Sequence, residues 1–177
     1  MSKYIFLLVV IVLFIGLQFG FFSGLTIYNG TVNLIVLVLV SSFFLNVEKE
    51  GLIISLVMAS IFDFYLYSYF GLSIIAVLLI YFILNILKNK ISQKPGYLLV
   101  LVAVFFLSIF FDLIVLGGFS ITNHYNFFYL LLYNIFPSAL INLIIAVPFY
   151  IIMRKIVSIL KLYRIIGTQE KKIWVGT

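Results

Sequence analysis

Cysteine is absent from the chain of 177 residues, and acidic side chains are scarce, with five aspartates and glutamates against eleven lysines and arginines. The lack of cysteine excludes a disulfide framework, a thiolate metal site and a cysteine nucleophile. The single histidine, His124, has no neighbouring residues of the kind that a metal site or a pH sensor needs. Phosphate-binding glycine loops, zinc-protease motifs and serine-hydrolase motifs are also missing. The sequence therefore predicts no enzyme activity, no cofactor and no bound metal.

Charge of either sign is rare, because only 9% of the residues are charged while 66% are hydrophobic. The mean hydropathy is +1.33. A water-soluble fold of this size could not keep so much apolar surface away from water, so the chain is predicted to lie in a lipid bilayer. The net charge of +6 is accounted for by short basic connections and a basic tail, so nucleic acid is not expected as a partner.

Six apolar stretches are long enough, or nearly so, to cross a hydrocarbon core of about 30 Å as helices. They cover residues 4–24, 31–47, 51–70, 71–87, 96–117 and 126–153. The last stretch is too long for one upright helix and contains Pro137 and Pro148, which predicts an interfacial or broken segment at its start. The expected fold class is all-α, a polytopic membrane bundle of about six transmembrane helices in residues 1–153. A basic cytoplasmic juxtamembrane tail is expected in residues 154–177.

All lysines and arginines fall on one side of a membrane when these six stretches cross it. They are Lys3, Lys49, Lys88, Lys90, Lys94, Arg154, Lys155, Lys161, Arg164, Lys171 and Lys172. The opposite connections, at 25–30, 70–71 and 118–125, contain none. Because positive residues stay on the cytoplasmic side, both termini are predicted to be cytoplasmic. The tail also carries apolar residues, so it is expected to lie on anionic lipid, with protein docking as the alternative.

Asp63 and Asp112 are the only ionisable residues inside the predicted spans. An aspartate at a helix centre costs about 2.5 to 3.5 kcal/mol on insertion scales, so each carboxyl is expected to face the bundle or an aqueous cavity. At about 1.5 Å per residue, both lie in the outer half of the membrane, where no lysine or arginine is present. The absence of a cation favours a packing or partner-docking role, and a proton or substrate relay is the other interpretation.

Small and polar residues mark two other spans. Gly16, Gly20 and Gly24 form two successive small-x-x-x-small intervals on one helix face, which predicts close approach of another helix. The favoured interpretation is a helix of the same bundle, and the alternative is a helix of another protein. Asn142 and Pro148 predict that the last span bends and makes hydrogen bonds inside the bundle.

The order of three segments resembles the MreD family of rod shape-determining membrane proteins. The segments are SIFDFYLYSYFGL with Asp63 and Gly71, LSIFFDLIV with Asp112, and INLIIAVPFYIIMRK with Asn142 and Pro148. Members of that family have a similar length and five or six spans. They place an aspartate eight residues before a glycine at a span end, as Asp63 and Gly71 do.

The resemblance implies a non-enzymatic scaffold of the bacterial cell-elongation complex in the cytoplasmic membrane. Its implied partners are MreC, RodA and a class B penicillin-binding protein reached through MreC, MreB on the cytoplasmic side, and membrane lipids. Asp63, Gly71 and Asp112 would then hold the bundle or its partner surface.

The alternative is the substrate-binding subunit of an energy-coupling-factor vitamin transporter. Such subunits have about six spans, a similar length, small-residue spacing in the first helix and a fold related to that of MreD. A vitamin pocket would require several converging polar side chains and a covering loop in the outer half. The outer connections of this chain are short and nearly free of charge, which favours the scaffold.

Overall fold

The computed structural model describes residues 3–24, 29–65, 71–88, 96–123 and 126–162, and every regular element of secondary structure within them is helical. The α-helices are α1 (Lys3–Gly16), α2 (Leu34–Phe44), α3 (Glu48–Tyr65), α4 (Leu72–Lys88), α5 (Tyr97–Asn123), α6 (Phe127–Leu130) and α7 (Phe136–Leu162). The all-α part of the predicted fold class is therefore confirmed.

Helix α2 forms the centre of the bundle. All of its 11 residues are buried, and it packs against α3, α4, α5 and α7. A helix that is apolar on every side, as this one is, belongs in an interior. The second predicted span must be corrected, because residues 31–33 are not helical and α2 ends at Phe44. At about 1.5 Å per residue α2 extends roughly 16 Å, about half of a hydrocarbon core.

The surrounding helices present apolar side chains outward as well as inward. Exposed examples are Val12, Phe64, Phe82, Phe106 and Ile144. Among the described residues, Tyr97–Gly118 and Phe127–Ile159 are long and apolar enough to cross a membrane, and Leu8–Phe21, Leu34–Phe44 and Leu72–Leu87 are shorter apolar helices.

The predicted break near the start of the last apolar block is a π-helical turn. Helix α6 passes into a π turn at Leu131–Ile135, which leads directly into α7, and the Phe136 N–H donates to the Leu131 carbonyl within it. Pro137 has no N–H to donate to the carbonyl four residues earlier, and a widened turn accommodates that loss. Pro148 lies inside α7 without ending it.

Two helices extend further than the hydropathy pattern predicts. Helix α5 continues to Asn123, so most of the outer connection expected at 118–125 is helical. Helix α7 continues to Leu162, past the expected end of the bundle at residue 153. Val157 and Val47 form a small apolar cluster that holds this end of α7 on the bundle. His124 and residues 163–177 lie outside the described residues.

Candidate functional site

The polar centre of the bundle is built around residues 31–33, which lead into α2 without forming a helix. Backbone in this conformation leaves its N–H and C=O groups unpaired. Each unpaired group that is buried costs about 1–3 kcal/mol. Side chains from other helices supply the missing partners here, so the non-helical segment is stable in an apolar interior.

Gln18 provides two of these hydrogen bonds from the first helix. Its Nε2 donates to the Val32 carbonyl at 2.9 Å, and its Oε1 accepts from the Leu34 N–H at 2.8 Å. Gln18 is buried in a π-helical turn, Leu17–Phe21, that continues α1. One primary amide thus pairs with two backbone groups, as the backbone of a neighbouring strand would.

Asn142 connects the same segment to α5 and α7. Its Oδ1 accepts from the Asn33 N–H at 2.8 Å, and its Nδ2 donates to the Ser108 Oγ at 3.2 Å. Asn142 has 0% of its surface exposed. A fully buried amide with these partners links three parts of the chain that are far apart in sequence.

Asn33 caps α2 and contacts Asp112. Its Oδ1 accepts from the N–H groups of Ile35 and Val36, at 3.1 and 3.3 Å. A second side-chain hydrogen bond joins Asn33 to Asp112 of α5. The carboxyl therefore lies beside the N-terminus of α2, where the helix dipole favours negative charge. The other carboxyl oxygen, Oδ2, is buried and has no hydrogen-bond partner in the described part of the chain.

The start of the segment is held by α7. The Thr31 N–H donates to the Ser138 Oγ at 3.0 Å. Gly30 lies so close to the Pro137–Ser138 peptide that a Cβ at Gly30 would be 2.7 Å from backbone atoms. Only glycine allows this approach between the two backbones.

Asp63 forms a separate polar site at the junction of α3 and α4. Its Oδ2 accepts from the Gly71 N–H at 2.9 Å, and its Oδ1 accepts from the Ser73 N–H at 3.0 Å. Gly71 has a φ of +108°, a conformation that a residue with a Cβ rarely adopts. The buried carboxylate thus satisfies free N–H groups in the first turn of α4 and complements the dipole of that helix.

The predicted site residues therefore separate into distinct groups. Asp112 and Asn142 belong to one hydrogen-bonded network through Asn33, while Asp63 and Gly71 form the other site. These two sites share no hydrogen-bond partner among the described residues. Pro148 is exposed on α7 and belongs to neither group.

Gly16, Gly20 and Gly24 lie on an exposed face of the first helical segment. A Cβ at any of these positions would meet nothing within 4 Å. The favoured interpretation, close packing within the bundle, is therefore not seen in the described chain. Contact of this face with another protein stays a prediction.

Sequence reasoning did not assign Gln18, Asn33 or Ser108 to a common site. Two signals were available. Asn33 directly precedes an apolar run, the position expected for an N-cap. Gln18 is an amide within an apolar stretch, and a buried amide requires hydrogen-bond partners. Neither signal identifies the partner, which depends on tertiary packing.

A family model described as rod shape-determining protein MreD matches residues 2–160. Neither a curated protein nor a solved structure shows a significant match to the chain. The matched range includes the central network and the Asp63 site, and the hydrogen bond from Gly71 to Asp63 explains the spacing of eight residues between them. The chain belongs to the MreD family of rod shape-determining proteins.

Proposed function

We propose that this protein is a non-enzymatic scaffold in the bacterial cytoplasmic membrane that binds MreC within the cell-elongation complex. The observation that carries the proposal is how the buried polar side chains are used. Gln18 and Asn33 bond to the backbone at the start of α2, and Asn142 bonds both to that backbone and to Ser108. Polar groups used in this way fix the shape of a bundle, which is what a platform for other proteins requires.

The multi-pass membrane placement is supported by the outer faces of the helices. These faces are apolar and exposed, as at Phe82 and Ile144, whereas exposed charged residues lie near one end, as Lys49 and Arg154 do. Val47 and Val157 pack together, which brings the chain around Lys49 towards the basic end of α7. This arrangement agrees with cytoplasmic termini and the positive-inside rule.

Within this proposal, MreC is the direct partner. RodA and a class B penicillin-binding protein are reached through MreC, and MreB lies at the cytoplasmic face. Family membership supports a role in determining rod shape, and these partners are the proposed means by which the protein performs that role.

The vitamin-transporter alternative requires polar side chains that converge on a ligand. In the central network, most hydrogen-bonding atoms are already bonded to the chain itself, so the scaffold is favoured. Thermal unfolding with a panel of vitamins tests the alternative. The scaffold predicts an unchanged melting temperature, whereas a ligand-induced rise would favour the transporter subunit.

The proposed function is tested by cross-linking in the native membrane, followed by purification of the protein and mass spectrometry. Recovery of MreC with the RodA-type synthase is expected. A coupling transmembrane subunit and paired ATPases in their place would contradict the proposal.

A further inference from the structure

A cation and two phenols meet where the beginning of α5 packs against the second half of α7. The rings of Tyr97 and Tyr150 are 5.9 Å apart between centroids and nearly perpendicular, at 88°. Arg154 follows Tyr150 by four residues on α7, a spacing that places both on the same helix face. The charge of Arg154 acts on the Tyr150 phenol.

The patch carries a positive charge at its surface. Arg154, which supplies this charge, is exposed. Tyr150, by contrast, has only 7% of its surface exposed. Its ring is held in place and packs edge-on against Tyr97, so one side of the patch is fixed.

Exposed apolar side chains neighbour the two tyrosines in sequence, where a soluble surface would typically have polar residues. Leu98 follows Tyr97 and is 77% exposed, and Ile151 follows Tyr150 and is 41% exposed. A ligand that fits this surface has an anionic group for Arg154 and hydrocarbon beside it. An anionic phospholipid has both.

We infer that Arg154, Tyr150 and Tyr97 form a binding site for the phosphate of an anionic phospholipid, with its acyl chains against Leu98 and Ile151. A guanidinium can donate two parallel hydrogen bonds to phosphate oxygens. The phenol O–H groups are further donors. The inference rests on the proposed membrane placement, because only then do acyl chains cover these apolar side chains.

The test uses the full-length protein in phosphatidylcholine nanodiscs, with and without phosphatidylglycerol. Native mass spectrometry measures the bound lipid, and thermal unfolding measures the stabilisation that it provides. Arg154→Gln is expected to bind phosphatidylglycerol about tenfold more weakly, and Tyr97→Phe, which removes only a hydroxyl, several-fold more weakly. Lys155→Gln is the matched control, since Lys155 is the exposed neighbour of Arg154 and the charge change is identical.

Equal weakening in Arg154→Gln and Lys155→Gln would overturn the inference, because the attraction would then be general surface charge. Equal stabilisation by inorganic phosphate in phosphatidylcholine nanodiscs would also overturn it, since the site would then bind a free anion. The lipid site and the proposed function are contradicted by different results. A protein that membranes retain but that does not distinguish the two lipids contradicts only the lipid site, whereas loss of MreC recovery contradicts only the scaffold.

Discussion

Each buried aspartate is bonded in a different way, although neither pairs with a lysine or arginine in the described part of the chain. Both oxygens of Asp63 accept backbone N–H groups at the start of α4. Asp112 is bonded to the Asn33 side chain, and its Oδ2 has no partner in the described chain. The two positions should therefore respond differently to the same substitution.

Replacing Asp63 by asparagine should lower stability by about 1–3 kcal/mol, because an amide has one acceptor oxygen where two N–H groups need acceptors. Asp63→Leu leaves both N–H groups unpaired and should cost more. Ser60→Ala is the control, since the Ser60 hydroxyl bonds only to the Leu56 carbonyl of its own helix. Thermal unfolding in nanodiscs measures the order. Equal stability of Asp63→Leu and the control would contradict this account of the site.

Asp112→Asn should be nearly as stable as the wild type, within about 1 kcal/mol. The asparagine keeps one side-chain oxygen to accept from the Asn33 amide. Its NH₂ group replaces Oδ2, which has no partner in the described chain. Asp112→Leu removes the bond altogether and should cost about 1–3 kcal/mol. The same unfolding measurement separates the two variants. A large loss in Asp112→Asn would show that the carboxylate itself is required.

Gln18 tests how the start of α2 is held in place, because its side chain bonds to the non-helical segment that leads into this helix. Gln18→Leu leaves the Val32 carbonyl and the Leu34 N–H unpaired, and should cost about 2 kcal/mol or more. Hydrogen exchange of the Leu34 amide should accelerate strongly. Val12→Ala is the control on α1, since Val12 is 60% exposed. An unchanged exchange rate at Leu34 in Gln18→Leu would exclude this role.

Hydropathy located the helices well but could not describe α2. A run of apolar residues looks the same whether it crosses a membrane or fills the centre of a bundle. The partners of the non-helical segment are also distant, since Asn142 is 109 positions from Asn33. Asp63 and Gly71 are only 8 positions apart, and it was the resemblance to the MreD family that paired them. The network depends on how whole helices pack, which a hydropathy pattern does not describe.

At the scale of the whole molecule, the exposed glycine face is the candidate contact with another protein. A side chain at Gly20 would meet nothing within 4 Å, so Gly20→Leu should leave thermal unfolding of the isolated protein almost unchanged. If a partner helix lies on this face, the same variant should reduce recovery of MreC several-fold. Ile144→Leu is the control, since Ile144 is 76% exposed and lies on α7, not on the glycine face. Unchanged recovery in Gly20→Leu would remove this face from the proposed interface.

The measurement that tests the central claim most directly is mass spectrometry of proteins cross-linked to this chain in its native membrane. A scaffold of the elongation complex predicts recovery of MreC together with the RodA-type synthase. Recovery of a coupling transmembrane subunit with paired ATPases, and no MreC, would contradict the account and identify a vitamin-capture subunit instead.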